Sequence, residues 1–284
     1  MKNPRKVYDG IEVPANDPVT FMMPYVMPRR TDSEAYFDFR LDVSKVENFI
    51  REHQKDIPGL SIFHFIFAVI IRCCAITPQV NRFITGNRLY QREQVRIAMN
   101  IKKNLTVDGA ETIIFPTFEK TESLKEIVEK TNQAAKEAMA DLNNPESDVD
   151  KLTNVLQKMP HFILSIFVKF MIHLDKKGKL PKALVNAQPF HSGFYVTNVG
   201  SIGLPVIYHH LYEFGTTSIF IAIGKKETDT TMDCHGEISR TRILPIKMVM
   251  DERICDGFTF SRAYRTITRL FANPELLLES WKPE

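Results

Sequence analysis

Residues 35–43 read Ala-Tyr-Phe-Asp-Phe-Arg-Leu-Asp-Val and alternate apolar and polar from Tyr36 onward, the period-two pattern of a strand with one buried face. Ser44, with Glu47 three residues later, has the form of a capping box. A helix carrying Val46, Phe49 and Ile50 on one face should run from there to Pro58-Gly59. Residues 60–76 are apolar nearly all round, which predicts a helix deep in the core, stopped by Pro78. Two short runs, 82–84 and 89–90, flank Gly86-Asn87 as a hairpin would. Further strands are predicted at 95–101 and 113–115. Residues 120–142 form an amphipathic helix with Leu124, Ile127, Val128 and Met139 inward and a solvated lysine–glutamate face outward.

The second half opens with a polar break at 143–150 and two helical stretches, 149–158 and 162–174. The latter reads as a buried core helix, since large apolar segments are usually inside. Residues 194–199 form a strand entering a turn at Gly200-Ser201-Ile202-Gly203. Two more strands follow at 216–224 and 243–250, then a tight polar segment at 251–257 and a closing amphipathic helix at 258–272. The first 30 residues, with Pro14, Pro18, Pro24 and Pro28, read as an extended arm. There are no internal repeats. The pattern predicts one α/β domain over 31–284, a mixed sheet with helices packed on it, and an extra helical segment around 145–190.

Composition narrows the setting. Among 284 residues, 44% are hydrophobic and 25% charged, which excludes wholesale disorder. A net charge of +3 from 37 basic and 34 acidic side chains gives no case for nucleic acid. The spacing of Cys73, Cys74, Cys234 and Cys255 fits neither a disulfide framework nor a zinc site, so free thiols in a reducing compartment are expected. The N-terminus lacks the apolar stretch of a signal peptide. The greasiest segments are short and interrupted, by His64 and Arg72 in one and by Lys169 and His173 in the other. The expectation is a cytoplasmic protein with no membrane and no nucleic-acid partner.

Dinucleotide, nucleotide-phosphate and zinc-protease motifs are absent, and no metal site is expected. The pair His209-His210 would point to opposite faces of a strand, so at most one could enter a given site, and both read as structural or surface residues. The segment from Met250 to Phe258 is different. It sets Asp251, Glu252, Arg253, Asp256 and Gly257 between a hydrophobic strand and a helix start. A capping carboxylate at Asp256 is the plain reading. One cap would suffice, however, and Glu252 and Asp256, four apart, suggest two jobs.

Residues 244–278, LPIKMVMDERICDGFTFSRAYRTITRLFANPELLL, resemble the C-terminus of the dihydrolipoyl acyltransferase catalytic domain of 2-oxoacid dehydrogenase complexes. That family ends in a hydrophobic strand, a DHRxxDG motif, a helix and a DPELLL-like tail. Chloramphenicol acetyltransferases share the fold and a related HxxxDG motif. Upstream, Phe194-Tyr195-Val196-Thr197-Asn198-Val199-Gly200 resembles the family's FTISNLG segment. The order of elements from about Met27 fits as well.

The resemblance implies a chloramphenicol acetyltransferase-like two-layer α/β fold. It also implies a homotrimer, or a higher oligomer, with active sites between subunits and coenzyme A as co-substrate. In that family the motif histidine takes a proton from a thiol or hydroxyl acceptor, and a serine or threonine of the neighbouring subunit binds the oxyanion. Thr197 falls at the oxyanion position. Asp256 falls on the motif aspartate, for which Arg29 or Arg30 would be the partner, and Gly257 and Asn198 would help order the site. The departure is Glu252, which stands at the histidine position. A carboxylate of ordinary acidity is about four pK units too weak a base for a thiol, and burial is what could close that gap. His191, His209 and His210 flank the Thr197 segment as substitutes. There is no lipoyl attachment lysine, so a free-standing acyltransferase with a small-molecule or lipoyl acceptor is expected. The alternative is a catalytically inactive trimeric homologue that binds or scaffolds.

Overall fold

A computed structural model describes residues 4–14, 17–102, 111–141, 158–232 and 235–282. The arm is not simply extended. It forms β1 (Lys6–Val7), β2 (Gly10–Glu12) and a short helix, α1 (Pro18–Val26), capped by Asp17, whose Oδ1 accepts from Thr20 N at 2.8 Å. The alternating run becomes β3 (Glu34–Asp42), followed by α2 (Ser44–His53) and the buried α3 (Ile62–Ile76), which ends ahead of Pro78. The capping box expected at Ser44 does not form. Asp42 Oδ1 accepts from Ser44 N at 2.8 Å instead, and Glu47 pairs with Lys226. A reciprocal box does form at Ser123 and Glu126, ahead of the 124–141 helix.

The hairpin is β4 (Arg82–Thr85) and β5 (Arg88–Arg92), with Gly86 and Asn87 both at φ 56°, as a tight two-residue turn requires. Next come β6 (Val95–Lys102), β7 (Glu111–Ile114), β8 (Thr117–Phe118) and α4 (Leu124–Asp141). Helices α5 (His161–Lys176) and α6 (Lys182–Asn186) lead to β9 (Phe194–Asn198) and β10 (Ile219–Ile223). The chain closes with β11 (Glu227–Met232), β12 (Ile238–Asp251) and α7 (Gly257–Ala272). The helical stretch expected at 149–158 lies almost wholly outside the described residues.

Two sheets result. The small one runs β1-β2-β5-β4. In the large one the long β12 lies between β3 on one side and β10-β9-β6-β7 on the other, with β11 pairing the first half of β12 and β8 pairing β6. β9 is parallel to both β6 and β10, so the sheet is mixed, as expected. One face packs against α2, α3, α4 and α7 around Phe65, Phe67, Ile71, Val196 and Ile221. The other carries a smaller cluster of Ala98, Tyr195, Leu211, Phe220 and Val249, covered by the irregular chain around 204–216.

Two further expectations are overturned. Helix α5 is exposed along most of its length, with Phe162, Ile163, Ile166, Phe167, Val168 and Phe170 in solvent. His209 and His210 lie in irregular chain, not a strand. Their rings stack on each other at 4.9 Å, and His209 lies flat on Phe220 at 3.8 Å. Cys73 and Cys74 are free and buried and Cys255 is free and half-buried, whereas Cys234 lies outside the described residues.

Candidate active site

The last residue of β12, Asp251, is completely buried and organises the turn that follows. Its carboxylate accepts from Arg253 Nε at 2.8 Å, Arg253 Nη2 at 2.7 Å and Ser33 Oγ at 2.9 Å. Arg253 Nη1 also donates to the carbonyl of Met27 at 2.7 Å, tying the arm to the motif. Arg30 Nε stands 3.7 Å from the same carboxylate, while its Nη1 donates to the carbonyls of Tyr212 and Gly215. Burial holds the Arg30 guanidinium below its usual range. The arginine partner expected for Asp256 therefore belongs to Asp251, and Arg29 pairs with Asp32 at 2.8 Å. Sequence reasoning passed over Asp251 and Arg253 as ligands of one another, although an acid and an arginine two apart at a strand end were visible.

Asp256 takes the plain role. It is exposed, it caps α7 by accepting from Thr259 N at 2.7 Å, and that bond holds its carboxyl below the ordinary range. Gly257 opens α7, and a Cβ there would meet nothing within 4 Å, so the chain itself does not demand glycine. Cys255 is pushed up to about 12 by burial, which leaves a thiol and not a nucleophile at neutral pH.

Glu252, Cys255 and Asp256 line a cavity of about 340 Å³ whose other walls come from α1 (Thr20, Met23) with its cap Asp17 and from the hairpin side (Gln79, Arg82). The volume is in the range of small-molecule sites. Asp17 and Asp256 each cap a helix, whereas Glu252 is exposed and has no hydrogen-bond partner among the described residues. It is the carboxylate left to face the cavity. The three candidate histidines do not line it. His191 is buried, with Nε2 2.8 Å from Asp175 Oδ1, and His209 and His210 sit over the open sheet face.

Thr197 is elsewhere. It lies near the C-terminal end of β9, half-buried on the open face with Ala222 and Lys247 in register beside it. Its hydroxyl has no partner among the described residues. Asn198 follows, its Oδ1 accepting from Ser201 N at 3.2 Å and holding the turn. At Gly200 a Cβ would come within 2.3 Å of the Gly224 carbonyl, so this close approach admits only glycine. Thr197 is level with Lys247, five residues from Glu252 and two strands across, a separation on the order of 20 Å. Within one chain the two side chains cannot meet.

Residues 176–279 match the family described as 2-oxoacid dehydrogenases acyltransferase (catalytic domain). No curated protein matches the chain in sequence. In structure it is similar to a dihydrolipoamide acetyltransferase of Azotobacter vinelandii, at 14% identity over 94% of each chain and a TM-score of 0.56. It is also similar to a truncated catalytic core of the 2-oxoacid dehydrogenase multienzyme complex from Thermoplasma acidophilum, at 13% identity over 93% of this chain and 99% of that one, TM-score 0.54. A chloramphenicol acetyltransferase aligns over 91% of this chain and 96% of its own at 10% identity, TM-score 0.51. The resemblance drawn from 194–200 and 244–278 is borne out, and the fold is chloramphenicol acetyltransferase-like.

Proposed function

We propose that this chain is an acyltransferase that moves an acyl group between coenzyme A and a thiol or hydroxyl acceptor, at sites shared between copies in a homotrimer. One observation carries the reading. Glu252 and Thr197, each without a hydrogen-bond partner among the described residues, occupy opposite ends of one sheet, so they become a working pair only if one copy supplies the carboxylate and another the hydroxyl. Support comes from the Azotobacter enzyme, whose catalytic mechanism involves a serine, a histidine and, four residues after the histidine, an asparagine. The same spacing separates Glu252 from Asp256. Beside Thr197, the run with Ile202, Leu204, Ile207 and Tyr208 exposes apolar surface that a second copy would cover.

In this reading Glu252 takes the proton from the acceptor as its oxygen or sulfur attacks the thioester carbonyl. Thr197 of a neighbouring copy donates to the carbonyl oxygen as it gains charge, and Glu252 returns the proton to the departing thiolate of coenzyme A. The cavity suits a thioester arm, with Thr20, Gln79 and Arg82 as polar contacts and Met23 and Leu89 as apolar wall. The Asp251–Arg253–Arg30 cluster holds the turn that presents Glu252.

The second reading is a catalytically inactive trimeric homologue acting as a binding or scaffold protein. What favours it is the exposure of Glu252, since burial is what would make a carboxylate basic enough for a thiol. The test is thiol release from acetyl-coenzyme A with dihydrolipoamide, chloramphenicol and water as acceptors. The acyltransferase reading expects turnover by the wild type and a loss of about 10²–10⁴-fold in Glu252→Gln. A silent wild type combined with activity in Glu252→His would establish the inactive reading instead.

A further inference from the structure

Helix α5 leaves its apolar side chains in water. Phe162, Ile166 and Phe170, spaced four apart, form one exposed line, with Ile163 and Phe167 beside it. A second exposed line, Lys169, His173 and Lys176, runs along the helix next to the first. Lys177, Lys179 and Lys182 continue it past the helix end, and all three are exposed. Between 158 and 182 the sequence holds six lysines and a single acid, Asp175. That acid is turned inward and spent: Oδ1 lies 2.8 Å from His191 Nε2 and accepts from Tyr8 Oη at 2.9 Å, and Oδ2 accepts from Gly215 N at 2.7 Å. Among the described residues, none of the six lysines is paired with a carboxylate.

From this we infer that α5 and the lysine-rich turn after it form a membrane-surface site that lies on anionic phospholipid. The occupant has to be apolar and negatively charged at once, which a surface of acyl chains beneath anionic headgroups is. A second copy of the same patch would bring lysines against lysines. Sixteen residues rise only about 24 Å, short of a hydrocarbon core of about 30 Å, so the helix lies in the interface and does not cross it. In agreement, no helix among the described residues is long and apolar enough to span a membrane. Asp175 anchors the C-terminal end of α5 to the body, which fixes how the domain would sit on the surface.

The test is flotation of the full chain with vesicles of phosphatidylcholine alone or with about 30 mol% phosphatidylglycerol, at low and high salt. The wild type should float only with the anionic vesicles and should release as salt rises. Ile166→Glu with Phe170→Glu should abolish flotation. Lys169→Glu with Lys177→Glu should weaken it roughly 25-fold or more, at about fivefold per lysine near the surface. Both pairs are exposed, so melting temperature should not move. Wild type that fails to float with anionic vesicles at low salt would overturn the proposal, as would either pair floating like wild type. It would equally be overturned if the apolar pair lowered the mass in sedimentation while vesicle binding persisted, because a second copy would then be the occupant.

Discussion

Asp251 is fully buried and the adjacent Glu252 is exposed, and the two carboxylates answer to different physics. Asp251 is paired with Arg253 and stands beside Arg30, all away from solvent, so removing its charge strands two buried guanidiniums. Asp251→Asn should cost about 3–5 kcal/mol in urea unfolding, the usual penalty for breaking a buried pair from one side. Glu252→Gln should stay within about 0.5 kcal/mol, as exposed substitutions do. If both variants unfolded with wild-type midpoints, the role given to Asp251 would be wrong. Glu252 and Asp256 stand out in the sequence through their four-residue spacing ahead of a helix and through the motif they resemble. Asp251 looked like one more acid, since burial is decided by Ser33, Arg30 and Met27, far away in the chain.

At the scale of elements, periodicity served where one face or every face is buried. Residues 35–43 and 60–76 became β3 and α3 because alternation and all-round apolarity each have one economical burial. The same reasoning misplaced α5, whose composition is that of a core helix although its surroundings leave it exposed. Apolar content records what a helix prefers to touch and not whether this chain supplies it. Ser44 and Glu47 matched a capping box, yet Glu47 found Lys226, far away in the chain but beside it in the fold. Asp175 joins the end of α5, the Tyr8 hairpin and the His191 turn. Burial alone would raise its carboxyl, but His191, Gly215 and Tyr8 outweigh that and hold it below the ordinary range. Its stabilisation is therefore present above about pH 4 and is lost as pH falls through the lower folded value. The melting-temperature gap between wild type and Asp175→Asn should be wide at pH 7 and narrow below about pH 4. A gap independent of pH would contradict the assignment.

For the whole molecule, the sheet that separates Thr197 from Glu252 is also the argument for assembly. Among the described residues neither side chain has a hydrogen-bond partner, and the apolar run beyond Thr197 asks for cover. A closed ring of three copies would weigh about 98 kDa, three times the 32.7 kDa chain, and would present identical sites at each junction. The mixed sheet with helices packed on it was legible from local pattern and the chloramphenicol acetyltransferase-like fold from the resemblance, whereas the strand order was not, since pairings such as β3 with β12 and β6 with β9 join residues far apart in the chain. The proposed division of the site between copies is implied by the resemblance alone, because no sequence pattern encodes a distance of some 20 Å across a sheet. The most direct measurement mixes two variants, Glu252→Gln and Thr197→Ala, each impaired alone, after dissociation and reassembly, and follows thiol release from acetyl-coenzyme A. With random assembly, about a quarter of the junctions would pair an intact Glu252 with an intact Thr197, so activity should return to about a quarter of the wild-type level. If reassembled mixtures show only the average of the two impaired variants, the carboxylate and the hydroxyl do not work across copies.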